Sequence, residues 1–172
     1  MADDAPAIAR VHVETWRSAY RGIVPDAYLA RLSLAERANQ WRDFLADSTG
    51  MRFVLVAHDK VDELIGFAAA GPERSGDPNY LGELYALYVL PSHHRCGFGH
   101  RLVQAVAGRL AAAGTRSMLL WVLEANTLAR EFYEALGGTV VRGQRIDVGG
   151  VPFTEVAYGW SDLQALLNAA GL

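Results

Sequence analysis

Apolar residues recur at helical spacing near the start of the chain and predict a first helix. The stripe is formed by Ile8, Val11, Thr15 and Ala19, with Trp16 beside it. Gly22 and Pro25 end this helix, and a short helical turn is predicted around Asp26–Leu32. Ser33 stands three residues before Glu36, which is the sequence of a capping box and predicts the start of a second long helix.

After Gly50 the pattern becomes that of strands separated by turns. Strands are predicted over Met51–His58, Leu64–Gly71, Leu81–Leu90, Ser117–Leu123, Thr139–Val148 and Val151–Trp160. Helical spacing returns over Phe98–Ala113, Thr127–Leu136 and a last short stretch from Ser161 to about Ala170. Gly149 and Gly150 separate the last two strands, which is a two-residue hairpin signal. The order mixes hairpins with crossover connections, so it predicts a mixed α/β sheet with helices on its faces.

The length leaves room for one domain or two very small ones, and we expect a single globular domain spanning residues 1–172. The chain has 51% hydrophobic and 20% charged residues, a balance that argues against disorder. No apolar run approaches the roughly 18 residues of a membrane span, and the start Met-Ala-Asp-Asp lacks the features of a signal peptide. Cys96 is the one cysteine, so no internal disulfide forms, and we expect a cytoplasmic protein. The net charge of −3 argues against nucleic acid as a partner.

A glycine-containing turn joins the third predicted strand to the helix that follows it. The turn reads His94-Arg95-Cys96-Gly97-Phe98-Gly99. Glycines let backbone amides approach a ligand, and a helix start favours an anion, so a phosphate or pyrophosphate fits there. Arg95 and Arg101 would add positive charge at the rim. The turn lacks the third glycine of a dinucleotide fingerprint and the Gly-Lys-Ser/Thr of a nucleotide P-loop, and a turn that only starts a helix explains the same glycines.

A second motif lies at the next junction between a strand and a helix. Asn126 precedes the predicted helix, where its amide can cap the helix or bind an extended amide-containing ligand. Tyr133 can place a phenol beside a ligand held by the glycine turn, or it can be a core tyrosine with a bonded hydroxyl. The stripe to which it belongs consists of Ala129, Phe132, Tyr133 and Leu136.

Together the two motifs resemble those of the GNAT superfamily of acyl-CoA-dependent N-acyltransferases. Leu84–Leu102 is similar to that family's central strand and pyrophosphate loop, and Asn126–Gly137 is similar to its second conserved block. The resemblance covers about Ala5 to Trp160. It implies a mostly antiparallel, mixed and twisted sheet of six to seven strands, with helices on both faces and central strands that splay at the cofactor site.

Three features depart from the family pattern. His94 stands where Gln or Arg is usual, which leaves phosphate binding at this point to backbone amides and Arg95. Gly137-Gly138 replaces a common Gly-Phe ending, which implies a change in packing. The family also opens with a strand before its first helix, whereas this chain starts at that helix. Either the natural start lies upstream or the usual first strand is missing from the sheet.

The resemblance implies acetyl-CoA as co-substrate and a set of residues that bind it. These residues are Leu87, Tyr88 and Val89 on the central strand, His94, Arg95, Cys96, Gly97, Phe98, Gly99 and His100 in the loop, and Asn126, Ala129, Phe132 and Tyr133 in the second block. No metal is expected, because the neighbouring His93 and His94 point apart in an extended segment and no acidic or cysteine partner has ligand spacing.

The implied reaction is acetyl transfer to a primary amine of a small molecule or protein, by direct attack on the thioester in a ternary complex. Tyr133 is the candidate acid, and Glu83 is the candidate base, acting through a water; Glu124 is the next candidate base. A solvated strand end is the alternative interpretation of Glu83. The backbone amide near Val89 is the candidate oxyanion donor. Cys96 is either a covalent nucleophile or a tolerated loop residue.

Aromatic residues of the first two helices are candidates for the acceptor site. Trp16 and Tyr20, four residues apart on one helix face, either border this site or belong to the core. Two functions compete with catalysis: a non-catalytic acyl-CoA-binding sensor that retains the fold, and a phosphate- or nucleotide-binding module that uses only the turn at Gly97 and Gly99. The resemblance also favours a homodimer, and no membrane partner is expected.

Overall fold

A computed structural model describes residues 2–168, which form two compact units. Unit 1 extends to Ala69 and resumes over Ala86–Val103, and unit 2 contains Ala70–Tyr85 and continues from Gln104. Whether the chain is a single domain stays a prediction. The predicted end of the last helix near Ala170 lies outside the described residues. Across residues 2–168, no helix is long and apolar enough to span a membrane.

The helices and strands follow the order that the hydrophobic pattern predicts. The helices are α1 (Ala5–Ala19), α2 (Asp26–Ala30), α3 (Leu34–Leu45), α4 (Phe98–Ala112), α5 (Thr127–Ala135) and α6 (Leu163–Asn168). The strands are β1 (Phe53–His58), β2 (Leu64–Pro72), β3 (Gly82–Val89), β4 (Met118–Leu123), β5 (Thr139–Val148) and β6 (Val151–Trp160). Short 3-10 turns cover Ala2–Asp4 and Pro91–His93. Ser33 caps α3 as predicted, because its Oγ accepts a hydrogen bond from the Glu36 amide at 3.3 Å.

The strands form a six-stranded sheet in the order β1-β2-β3-β4-β6-β5. β3 runs parallel to β4, with described pairs from Gly82 and Met118 to Leu84 and Leu120. β4 and β5 each pair with β6 in the antiparallel direction. The predicted mixed α/β fold is therefore confirmed. The hairpin between β5 and β6 is also confirmed, with φ of 65° and 85° at its two glycines, as a type I′ turn requires.

The core of unit 1 contains a histidine that sequence patterns gave no reason to single out. His12 lies on the buried side of α1 and is 8% exposed. Trp41 on α3 donates its indole hydrogen to Nδ1 of His12 at 3.2 Å. An indole nitrogen can only donate, so His12 accepts at Nδ1 and, when neutral, carries its proton on Nε2. Burial, with a smaller contribution from the positive charge of Arg37, lowers the pKa of His12 to about 3.

Neutral His12 should make the stability of the protein fall on acidification. The unfolded chain takes up a proton as the pH falls through about 6.5, whereas folded His12 does so only near 3, so this stability is complete above 6.5 and is lost toward 3. His12→Asn keeps an acceptor for Trp41 but does not titrate. Between pH 7 and pH 5 the unfolding free energy of wild type should therefore fall by about 2 kcal/mol more than that of His12→Asn. Chemical denaturation at the two pH values measures this difference.

Equal dependence of unfolding free energy on pH in wild type and His12→Asn would contradict the neutral state of His12.

Candidate active site

The glycine turn of unit 1 has the backbone of an anion-binding loop. Arg95 and Gly97 have φ values of 60° and 79°, so two left-handed residues stand before α4. A Cβ at Gly97 would meet nothing within 4 Å, so the turn requires glycine there for its φ rather than for space. The side chains of Arg95 and Cys96 are exposed. The first amides of a helix lack partners within the helix, so this arrangement can receive an anion from solvent.

A buried polar atom in the first turn of α4 also lacks a partner. Nε2 of His100 is buried and makes no hydrogen bond within the part of the chain that the structure describes. Buried polar atoms are nearly always hydrogen-bonded, so such an atom beside an anion-binding turn is a fitting contact for a ligand. The positive charge of Arg101 lies over the ring of Phe98, with Cζ 4.6 Å from the ring centre.

The last residue of β3, Val89, directs both its N–H and its C=O away from β2. Leu90 N–H donates to the Ile65 carbonyl of β2 at 2.8 Å, so the Val89 carbonyl, in the same trans peptide, points the other way. The Tyr88 carbonyl lies against β2, 3.0 Å from where a Cβ on Gly66 would be, so the Val89 N–H also points away from β2. Both polar groups of Val89 thus face the same edge of β3.

Two side chains bond the carbonyl of Val89. His94 places Nε2 at 2.8 Å from the Val89 oxygen, and the buried Thr15 on α1 donates its Oγ1 hydrogen to it at 3.4 Å. A carbonyl only accepts, so Nε2 of His94 carries the hydrogen. The resemblance placed His94 among the cofactor-binding residues, with phosphate binding at this point left to backbone amides and Arg95, and no sequence pattern identified Thr15 as a polar contact. Thr15 lies on the apolar stripe of α1, so the sequence pattern indicated a core position rather than a hydrogen-bond donor.

Aromatic side chains of α1 meet Tyr88 of β3 within unit 1. Trp16 donates its indole hydrogen to the Tyr88 hydroxyl at 2.8 Å, and the ring of His12 lies 4.7 Å from that of Tyr88. Trp16 also packs on Tyr20, with ring centres 4.5 Å apart. The two candidate acceptor residues therefore contact each other, and Trp16 contacts the segment predicted to hold the cofactor. Trp16 is half-buried and Tyr20 is buried.

In unit 2, Asn126 and Tyr133 lie at the two ends of α5. The Asn126 Oδ1 accepts the Ala129 amide at 3.3 Å, so the side chain caps the helix, as one of the two interpretations predicted. Tyr133 is 8% exposed, and its ring lies 5.3 Å from Phe132 and 6.0 Å from Tyr158.

Backbone conformation and packing explain why two glycines, Gly137 and Gly138, follow α5. Gly137 has φ of 77°, and the amides of Gly137 and Gly138 bond the carbonyls of Glu134 and Tyr133, both at 2.9 Å, which is a Schellman ending. A Cβ at Gly138 would lie 2.7 Å from the ring of Trp160. The larger side chain common in the family at this position therefore has no room here.

A buried hydroxyl ties α5 to β6. Tyr158 is completely buried, donates to the Glu134 carboxylate and accepts from Nε of Arg130 at 3.1 Å. Burial and the hydrogen bond to Glu134 raise the pKa of Tyr158, so the phenol stays a donor. No sequence pattern singled out these three residues, although Arg130 and Glu134 are four apart on one helix.

Glu83 is not a solvated strand end. It is 2% exposed, and its carboxylate accepts hydrogen bonds from Arg74 at the backbone amide (3.2 Å), at Nε (3.0 Å) and at Nη2. The Arg74 guanidinium also lies over the ring of Tyr85, at 4.6 Å. This pair fixes the position of the carboxylate. Glu124, the other candidate base, is exposed.

A second ion network organises the loop between β2 and β3. Arg142 of β5 pairs with the carboxylates of Glu73 (3.5 Å) and Asp77, and its guanidinium lies 5.3 Å from the ring centre of Trp121. Hydrogen bonds from Ser75 and the local backbone outweigh burial and lower the pKa of Glu73. The loop that contains Arg74 is thus held at several points, although its glycines and prolines predicted only an irregular segment.

Comparisons with known proteins agree with this architecture. Residues 12–138 match the family model described as Acetyltransferase (GNAT) family. The chain is 38% identical over 164 residues to "Uncharacterized N-acetyltransferase YuaI" of Bacillus subtilis, covering 95% of this chain and 91% of the relative. It is 30% identical over 143 residues to "Probable N-acetyltransferase Rv2775" of Mycobacterium tuberculosis, covering 76% of this chain and 72% of the relative.

Solved structures share the fold. The PaiA N-acetyltransferase from Thermoplasma acidophilum, in complex with coenzyme A, superposes with a TM-score of 0.71 at 22% identity, covering 90% of this chain and 92% of that chain. At this identity the likeness concerns the fold alone. The family match covers most of the chain and spans both motifs, so the chain belongs to the acetyltransferase (GNAT) family.

Proposed function

We propose that this protein transfers an acetyl group from acetyl-CoA to a primary amine. The observation that carries the proposal is the turn before α4, where two left-handed residues precede a 15-residue helix whose first turn holds the unpartnered Nε2 of His100. A pyrophosphate supplies the acceptors that such a site lacks. Family membership and a structural neighbour solved with coenzyme A support the same ligand.

Three segments are proposed to bind acetyl-CoA. The backbone of Leu87, Tyr88 and Val89 would bond the pantetheine arm as a neighbouring strand would. The turn and its helix start would hold the pyrophosphate through backbone amides and the charge of Arg95, and the second motif would line the arm near the thioester. His94 stands in this turn, but its backbone N–H and its ring N–H both bond the protein itself. The other residues are Leu87, Tyr88, Val89, Arg95, Cys96, Gly97, Phe98, Gly99, His100, Asn126, Ala129, Phe132 and Tyr133.

Val89 and Tyr133 are proposed to stabilise the two negative charges that develop in the reaction, one on the thioester oxygen and one on the leaving sulfur. The amine nitrogen forms a bond to the thioester carbon as the carbon–sulfur bond breaks. The Val89 N–H would donate to the oxygen that gains negative charge. Tyr133 would give its proton to the leaving thiolate, which is uphill by about 1.5 pKa units or roughly 2 kcal/mol and thus small beside a typical barrier.

Glu83 is proposed as the base that removes a proton from the amine through a water. Arg74 holds the carboxylate in place through hydrogen bonds. A carboxylate in a fixed position can accept the amine proton from a water that lies between them. Trp16 and Tyr20 are proposed to border the acceptor, and their rings favour an amine with an apolar portion. Acceptors on a small molecule and on a protein both fit this description.

Binding of acetyl-CoA should raise the melting temperature. At a ligand concentration near 100 times Kd, binding adds about 2.7 kcal/mol, which corresponds to a rise of roughly 5–10 °C for a chain of this length. We expect the rise with acetyl-CoA and not with ATP, followed by release of free thiol when a suitable amine is added. An equal response to ATP would favour a general phosphate site instead.

A matched pair of glycine variants localises this binding to the turn. Gly97 and Gly76 both have positive φ with open space around the missing side chain. Gly97→Val should abolish most of the rise in melting temperature caused by acetyl-CoA, whereas Gly76→Val should keep it. Loss of the rise in both variants, or in neither, would contradict the proposed pyrophosphate site.

Tyr133→Phe should lower kcat by about 10²–10⁴-fold, because the leaving thiolate would lose its proton donor. The Kd for acetyl-CoA should change little, since the ring remains. Steady-state kinetics and calorimetric titration measure the two quantities. Tyr80→Phe removes a hydroxyl elsewhere in unit 2 and should keep kcat within about threefold of wild type. An unchanged kcat in Tyr133→Phe would remove Tyr133 from the mechanism.

Glu83→Gln should remove the acidic limb of the pH profile of kcat/KM, because the group whose ionisation creates that limb is gone. The measurement is kcat/KM for a fixed amine from acid to neutral pH. Glu124→Gln is the matched variant at the other candidate and should keep the limb. If Glu83→Gln retains the limb and Glu124→Gln loses it, the base is Glu124.

A further inference from the structure

The hydrogen-bond donors of His94 are directed at the protein rather than at a ligand. Its backbone N–H donates to the Pro91 carbonyl at 3.2 Å, and its Nε2–H donates to the Val89 carbonyl at 2.8 Å. A phosphate accepts hydrogen bonds and needs donors. The ring of His94 thus has its donor on the end of β3, which is a different task from the phosphate binding that its place in the loop suggests.

The carbonyl that His94 bonds stands beside the amide proposed as the oxyanion donor. The N–H and C=O of Val89 face the same edge of β3, away from β2. A bare carbonyl there would direct its negative end toward the oxygen that the N–H is meant to stabilise. Two donors cover it: His94 Nε2 and, at 3.4 Å, the hydroxyl of Thr15. They offset the charge on the carbonyl and fix the direction of the residue.

The three participants come from three elements of unit 1. Thr15 is buried on α1, Val89 ends β3, and His94 follows the 3-10 turn Pro91–His93. The contact between Thr15 and Val89 spans 74 residues of sequence, so it depends on the packing of α1 against the end of β3. The same carbonyl is therefore held from the helix side and from the loop side.

We propose that His94 and Thr15 are positioning residues, which hold Val89 as the oxyanion donor by bonding its carbonyl. The proposal rests on the proposed acetyl transfer for its catalytic consequence. In this role neither side chain contacts the reacting atoms.

Kinetics of paired variants test the consequence. His94→Ala and Thr15→Val each remove one donor to the Val89 carbonyl, and we expect kcat to fall by roughly 10–100-fold with the Kd for acetyl-CoA within about threefold of wild type. His94→Gln can place an amide N–H near the position of Nε2, so it should recover most of the loss in kcat. A histidine that binds phosphate would behave differently: His94→Ala would weaken acetyl-CoA binding and leave kcat at saturation unchanged, and this result would overturn the proposal.

The double variant tests whether the two side chains act through one group. Because both bond the same carbonyl, the loss of kcat in His94→Ala/Thr15→Val should differ from the product of the two single losses. A strictly multiplicative loss would mean independent actions and would overturn the shared role. Thr15→Val nearly preserves volume, so it keeps the kinetic test available if His94→Ala fails to fold.

Nitrogen-15 and carbon-13 NMR of the ligand-free protein tests the contact without any activity. We expect the His94 ring to carry its proton on Nε2, and the Val89 carbonyl and amide signals to shift more in His94→Ala than in His94→Gln. A ring that carries its proton on Nδ1 and none on Nε2, or Val89 signals that do not respond, would overturn the proposal even if the enzyme is active. Absence of acetyl-CoA binding and transfer in wild type, with the NMR contact present, would instead overturn the proposed function and the catalytic role with it.

Discussion

The direction of the peptide groups at the end of β3 is the constraint on which the candidate chemistry of unit 1 depends. The Leu90 N–H bonds β2 and the Tyr88 carbonyl lies against β2, so the N–H and C=O of Val89 turn to the other edge. Gly66 makes this possible, because a Cβ there would lie 3.0 Å from the Tyr88 oxygen and 3.1 Å from a Val89 methyl group. Strand pairing thus leaves one residue with both polar groups available for a task other than the sheet.

Around that residue, unit 1 combines an open polar turn with a closed aromatic core. The turn is exposed and built from left-handed residues, which suits a charged ligand arriving from water. The core joins the buried Trp41 and His12 to the half-buried Tyr88 and Trp16 through two indole hydrogen bonds and ring contacts. A neutral buried histidine is compatible with this core because its acceptor is satisfied, and its depressed pKa follows from the same burial.

Unit 2 uses buried charge in a different way. Glu83, Glu73 and Asp77 have buried carboxylates, and each is matched by an arginine, Arg74 or Arg142. Breaking such a pair is costly because it leaves a buried charge without compensation. These pairs therefore favour the observed conformation of the loop between β2 and β3. On α5, Arg130 and Glu134 share the hydroxyl of Tyr158 and fix the helix that bears Tyr133.

The sequence by itself determined the features that local chemistry controls. These features are the order of the elements and their positions to within about two residues, the cap at Ser33, the hairpin of β5 and β6, the glycine turn and the helix cap at Asn126. Each depends on residues close in sequence. The pairing of the two motifs was also sufficient to identify the family. These predictions succeeded because hydrophobic period, capping and positive φ are properties of short segments.

Only the tertiary structure decided what the individual side chains bond. Thr15 and Val89 are 74 residues apart, and His12 and Trp41 are 29 apart, so no local pattern distinguishes these contacts from ordinary core positions. Glu83 and Arg74 are closer in sequence, but their pairing required the hairpin of β2 and β3 to close around an irregular loop. The direction of the His94 ring was likewise fixed by a carbonyl on the preceding strand. Such contacts follow from how whole helices and strands pack against each other. That packing depends on all of their interactions together, so it is not visible in any short segment of the sequence.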